Sequence, residues 1–291
     1  MKAEIAANNV NRALAKFENL TVKTWNQIFE SKVQSIICYG AEIWAWDGYN
    51  NNKINSVITK FCKNVLGINR SVASCGAVVE MGRVTTSARV HSFMINYFLK
   101  TRVNPQKALQ RLCIDFELQQ GRDNWASRIV SMLQELNLDH LMDEPYTKST
   151  RKIISKKVNE REFQRLINES VAKPSLYFFQ TLEKNVGGAS YIHIVNRKER
   201  SALAKFRLGG YIWEAPKRKD GSRVCVLCGG TESPSHILKD CQGVEEIRER
   251  VIPEACSWSC KELLDSDQKR ILSGTAALIE AFFKLRKESL L

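Results

Sequence analysis

The chain has 291 residues, 44% of them hydrophobic and 26% charged, which excludes wholesale disorder and gives enough apolar material for one large or two modest domains. Lys and Arg total 44 against 31 Asp and Glu, a net charge of +13 that points to a polyanionic partner such as nucleic acid. No apolar run reaches membrane-spanning length, no signal-peptide core follows Met1, and nine cysteines is an odd number. The expected setting is therefore intracellular and reducing, nuclear or cytoplasmic, with no membrane partner and with cysteines serving as metal ligands or buried thiols.

In chain order the pattern is mostly helical. Residues 4–18 mix Ala, Leu and charge with little Gly or Pro. From Trp25 the apolar positions Ile28, Phe29, Val33, Ile36, Ile37, Ile43 and Trp44 recur in steps dominated by three and four, predicting one amphipathic helix. Gly48 and Asn50 to Asn52 make a turn, and a helix follows over Ile54 to Leu66 until Gly67 stops it. Ser71 to Gly82 reads as a loop with a short apolar piece at Val78-Val79. Thr85 or Thr86 caps the next helix, and Asn104-Pro105 starts another. Asp143-Glu144-Pro145 breaks the pattern, and a long charged helix runs to about Val171. A basic helix is expected over 197–208, and an amphipathic helix after Asp265-Ser266-Asp267.

Charge is uneven. Residues 1–146 carry +4, residues 147–223 carry +11 and residues 224–291 carry −2. The middle segment includes Lys148, Arg151, Lys152, Lys156 and Lys157, a density able to track phosphates and release their counterions.

One constellation carries chemistry. Cys225 and Cys228 are separated by two residues, Cys228 and His236 by seven, and His236 and Cys241 by four. Three thiolates and an imidazole suit tetrahedral Zn2+, and four protein ligands leave no position for water, so the metal is structural. Gly229 and Gly230 relieve the backbone after the second ligand. Cys256 and Cys260 lie nearby as substitute ligands or core residues; Cys38, Cys62, Cys75 and Cys113 read as core. No nucleophile–His–acid set and no phosphate-cradling Gly loop appears, so the chain is not expected to be an enzyme.

The fold expected is mainly α: a multi-helix domain over 1–146, a basic helical segment over 147–222, a zinc knuckle over 223–243 and C-terminal helices over 244–291. Nucleic-acid contacts are expected from Arg197, Lys198, Arg200, Lys205, Arg207, Lys217, Arg218, Lys219, Arg223 and Lys239, with Trp213, and Tyr211 beside it, stacking on unpaired bases or packing under the knuckle. RNA or a single strand is favoured, since no duplex-reading helix is evident. The alternative is a zinc-stabilised helical protein-interaction scaffold without catalysis.

These features together resemble the C-terminal part of a non-LTR (LINE-type) retrotransposon reverse transcriptase. Tyr39-Gly40-Ala41-Glu42-Ile43-Trp44 is similar to its Tyr-Gly-x-Glu-x-Trp motif, Phe61 to Gly67 to its Phe-x-Arg/Lys-x-x-Leu-Gly segment, and Glu80-Met81-Gly82 to its Glu-x-Gly. Leu203 to Gly209, then Glu232 and His236-Ile237-Leu238 to Cys241, resemble the approach to a Cys-Cys-His-Cys knuckle and the knuckle itself. The resemblance spans about residues 5–250 and implies thumb-like helices plus a domain that binds RNA or target DNA in target-primed reverse transcription. It also implies the polymerase palm as a partner, with exposed Trp25, Trp44 or Trp46 as the sign of a severed interface. The chain lacks any Asp-Asp pair for two-metal polymerase chemistry, and the fifty residues after Cys241 leave no room for an endonuclease domain.

Overall fold

Short polar side chains start several of the helices. The computed structural model describes residues 2–17, 20–45, 51–121, 123–210, 223–253 and 257–290. The helices are α1 (Lys2–Lys16), α2 (Val22–Phe29), α3 (Ser35–Ile37), α4 (Ala41–Trp44), α5 (Asn51–Leu66), α6 (Ser74–Glu80), α7 (Thr86–Val103), α8 (Ala108–Gln119), α9 (Trp125–Glu135), α10 (Lys148–Val171), α11 (Tyr191–Ile194), α12 (Arg197–Arg207), α13 (Glu245–Val251), α14 (Cys260–Asp265) and α15 (Lys269–Ser289). Among the described residues there is no strand, only an isolated antiparallel bridge between Val224 and Thr231. The mainly α expectation holds.

Thr85 Oγ1 accepts from the Ala88 amide to cap α7. Asn124 with Ser127, and Asn196 with Glu199, form reciprocal boxes that satisfy orphan amides at the starts of α9 and α12. The amphipathic run from Trp25 is not one helix. A π-turn, Glu30–Gln34, joins α2 to α3, and Gly40 at φ +65° turns the chain before α4. Of the turn expected at Gly48 and Asn50 to Asn52, Gly48 and Asn50 lie outside the described residues, and Asn51 and Asn52 open α5 instead.

The segment expected as a loop over 71–82 contains α6, a correction with a physical cause. Cys75, Ala77, Val78, Val79 and Glu80 are all buried, so α6 is enclosed on every side and shows no amphipathic period. A Cβ on Gly76 would sit 3.0 Å from both Leu176 and Leu208.

The contacts sort the chain into two compact units, each assembled from three segments, whereas the sequential division follows composition. The first comprises 1–10, 27–58 and 84–165 and the second 11–26, 59–83 and 166–291. In the first, α7, α9 and the start of α10 bury Met94, Ile95, Phe98, Ile129, Leu133, Ile154 and Val158. Trp125 closes this core against Tyr97 and Phe98, and its indole donates to the Glu42 carbonyl at 2.8 Å. In the second, α15 packs against α12, α13 and α14, burying Leu203, Phe206, Leu263, Ile271, Leu278 and Phe282. Each such side chain contributes about 1.5–3 kcal/mol on burial. Trp25 is buried rather than exposed, and Trp44 is half-buried. Trp46 lies outside the described residues.

Candidate metal centre

A short turn and a π-turn build the site. The Val224–Thr231 bridge pins the base of the turn, where the Cys225 amide donates to the Gly230 carbonyl and the Gly229 amide to the Cys225 carbonyl. Gly229 takes φ +76°, a left-handed conformation that costs other residues energy. A Cβ on Gly230 would lie 3.1 Å from His236 Cε1 and 3.5 Å from Cys228 Sγ, so a bare glycine lets the imidazole close on the turn. His236 opens the π-turn His236–Asp240, its amide donating to Ser233 Oγ, and Cys241 follows directly with its amide on the His236 carbonyl.

These elements bring Cys225, Cys228, His236 and Cys241 together, with their ligand atoms all within 4.8 Å of one another. Cys225 Sγ lies 3.7 Å from Cys241 Sγ, Cys241 Sγ 3.8 Å from Cys228 Sγ, and His236 Nε2 3.3 Å from Cys228 Sγ. Four ligands arranged tetrahedrally at zinc bond lengths give S···S edges of about 3.8 Å and S···N edges of about 3.6 Å. The residues therefore lie close enough to hold one metal ion. Burial pushes the Cys241 thiol up to about 12, and its thiol neighbours push the same way. Burial likewise raises Cys225, and it lowers His236, keeping the imidazole neutral and able to ligate.

The surroundings are stiff. Buried Arg248, from α13, donates Nε to the Leu238 carbonyl at 2.9 Å and Nη2 to the Cys241 carbonyl at 2.8 Å. Arg286 of α15, also buried, pairs with Glu232 at 2.6 Å and lies over the Phe283 ring. Neither arginine is legible as part of the site, because each meets it only through helix packing. Cys260 starts α14 and is not in the cluster, and Cys256 lies outside the described residues. Cys62 and Cys75 are buried, whereas Cys38 is half-buried and Cys113, expected in the core, is exposed on α8.

The basic residues divide sharply. Arg207 was expected on phosphate but is fully buried, bonding Glu80 at 2.5 Å, Asp265 at 2.7 Å and the Leu264 carbonyl at 2.9 Å. Arg200 is buried too and donates to the Val65 carbonyl at the end of α5, while Ser201 donates to Gly67. Both arginines are corrected to structural roles. Arg197 donates to the Leu14 carbonyl, and exposed Lys198 pairs with Glu280. Lys205, Arg223 and Lys239 are half-buried. Trp213, Lys217, Arg218, Lys219 and Tyr211 lie outside the described residues. Beside the knuckle, a cleft of about 80 Å³ is walled in part by Tyr177, Phe206 and Phe283.

Among the described residues no helix is long and apolar enough to cross a membrane. Compared with family models, curated proteins and solved structures, the chain matches none.

Proposed function

We propose that this chain is a zinc-stabilised module that binds RNA or single-stranded DNA, of the kind that follows the polymerase core in LINE-type reverse transcriptases, and that it has no catalytic activity of its own. One observation carries the reading: three thiols and an imidazole, with ligand atoms all within 4.8 Å of one another, are suited to a structural zinc whose four positions would all be filled by protein. Cys225, Cys228, His236 and Cys241 would hold the ion, which links the turn to the π-turn. The net charge of +11 over 147–223 supports a polyanionic partner, and Tyr177, half exposed at the cleft beside the knuckle, suits stacking on an unpaired base.

The test is metal analysis with RNA binding. The purified chain is expected to hold one equivalent of zinc and to bind single-stranded RNA. Cys225→Ser is expected to lose the zinc and at least tenfold in RNA affinity. A chain that holds zinc but ignores RNA at low salt overturns the nucleic-acid part of the reading.

A second reading has its own observation. On α8, Leu109, Leu112 and Phe116 are all more than 60% exposed, and with Cys113 they follow i, i+3, i+4, i+7 spacing. An apolar helix face of this size in water favours a protein partner, which on the reverse-transcriptase reading would be the polymerase palm.

A further inference from the structure

The charges of α10 are segregated along its length. From Lys148 to Asn159 there are five cations, Lys148, Arg151, Lys152, Lys156 and Lys157, and no acid. From Glu160 to Val171 there are three acids and two arginines. Both arginines of the second half are paired, Arg161 with Glu135 of α9 at 2.5 Å and Arg165 with Glu162 at 2.8 Å. In the first half only Lys156 has a partner, Glu160 at 3.8 Å. Among the described residues Lys148, Arg151, Lys152 and Lys157 form no ion pair, and exposed Asp143 and Glu144, just upstream, engage none of them.

Packing explains which way these cations face. Thr150, Ile154 and Val158 are buried and dock the first half of the helix. Lys148, Lys152 and Lys156, four residues apart, form an exposed row with steps of about 6 Å, flanked by Arg151. This arrangement is unfavourable for the helix itself. Like charges at i, i+4 repel, and cations in the first turn oppose the helix dipole. No acidic residue in the first turn offsets this. A row of like charges at regular steps is matched by the regularly spaced phosphates of an extended strand.

We infer that the first turns of α10, through Lys148, Arg151, Lys152 and Lys156, are the principal phosphate-binding track of this chain, in place of α12, whose Arg200 and Arg207 face inward. The occupant is the backbone of a single-stranded nucleic acid, and the inference rests on the nucleic-acid reading above. It assigns contact to a surface that does not include the knuckle.

The test uses the full zinc-loaded chain and fluorescence anisotropy with a mixed-sequence single-stranded RNA over a range of salt. Lys148, Arg151 and Lys152 are replaced together by Gln. A control replaces Lys23, Lys269 and Lys287, all exposed, by Gln, with the same change in net charge. The track variant is expected to lose at least tenfold in affinity and to lower the log–log salt slope by about 2, at about 0.7 per phosphate contact. The control is expected to stay within twofold of the parent. The track variant's melting temperature is expected to hold or rise, because the substitutions relieve repulsion, so weaker binding with an intact fold marks a binding role. Equal losses in both variants overturn the track. An RNA-binding parent with an unaffected track variant does the same while leaving the nucleic-acid reading intact. A parent that binds no RNA overturns both. Vesicles of phosphatidylserine and phosphatidylcholine form the last arm: track-dependent capture of vesicles without RNA binding would assign the row to a membrane surface and sink the inference.

Discussion

Four arginines show how little a charge count says about where a charge is used. Arg200, Arg207, Arg248 and Arg286 are buried and bonded to carbonyls or carboxylates. Arg207 sits between Glu80 and Asp265, with its guanidinium over the Tyr191 ring. Removing one partner of such a group leaves a buried charge uncompensated, so Arg207→Ala is expected to cost about 3–5 kcal/mol in urea unfolding. Lys198→Ala, which breaks an exposed pair, is expected to leave the unfolding midpoint unchanged. Equal effects of the two would show that the Arg207 cluster contributes no more than a surface pair. The zinc-type ligands were legible because their separation in sequence is short and characteristic. Arg207 was not, because its partner Glu80 lies 127 residues away.

At the scale of elements, α15 illustrates a conflict between propensity and packing. Gly274 lies within this 21-residue helix, where Ala would be favoured by about 1 kcal/mol. A Cβ there would collide with the Val251 carbonyl at the end of α13 and sit 2.8 Å from Ile252 Cγ1. Packing is expected to win: Gly274→Ala should destabilise the protein by about 1–3 kcal/mol, read by thermal or denaturant unfolding. A stabilised variant would mean that α13 and α15 do not approach this closely. The helices α5, α7, α10, α12 and α15, each with one wet face, were legible from apolar spacing, caps or breaks, whereas the bounds of α9 were not. The enclosed α6 was not, since burial on every side erases the period on which that reading depends. The break at Gly40 was missed for a related reason: the apolar steps continue across a left-handed glycine.

For the molecule as a whole, the metal centre is expected to govern part of the chain. A structural zinc of this ligand set supplies about 10–16 kcal/mol of apparent binding free energy near neutral pH. Chelation is therefore expected to abolish hydrogen-exchange protection over residues 224–252, while amides around Phe98, Ile129 and Leu133 in the other unit keep theirs. Loss spread evenly over the chain would contradict a local role. Acid should act in the same direction as chelator. Burial raises the Cys225 and Cys241 thiols, so without metal they hold their protons at neutral pH, and a bound ion must displace them. Proton release on binding means that metal affinity rises with pH and falls in acid, by about one decade per pH unit for each proton displaced.

The sequence by itself determined the helical class, the position of several of the longer helices, the four clustered ligands and the location of the charge surplus. Each of these depends on residues near one another in the chain: a 3.6-residue period, a cap three positions from its amide, four ligands within seventeen residues. Tertiary structure alone decided which cations face water, which arginines brace the knuckle, and that two compact units each draw on three separate segments. Those outcomes depend on pairings between distant residues, such as Glu232 with Arg286 and Glu80 with Arg207, and no local pattern encodes which buried charge meets which partner.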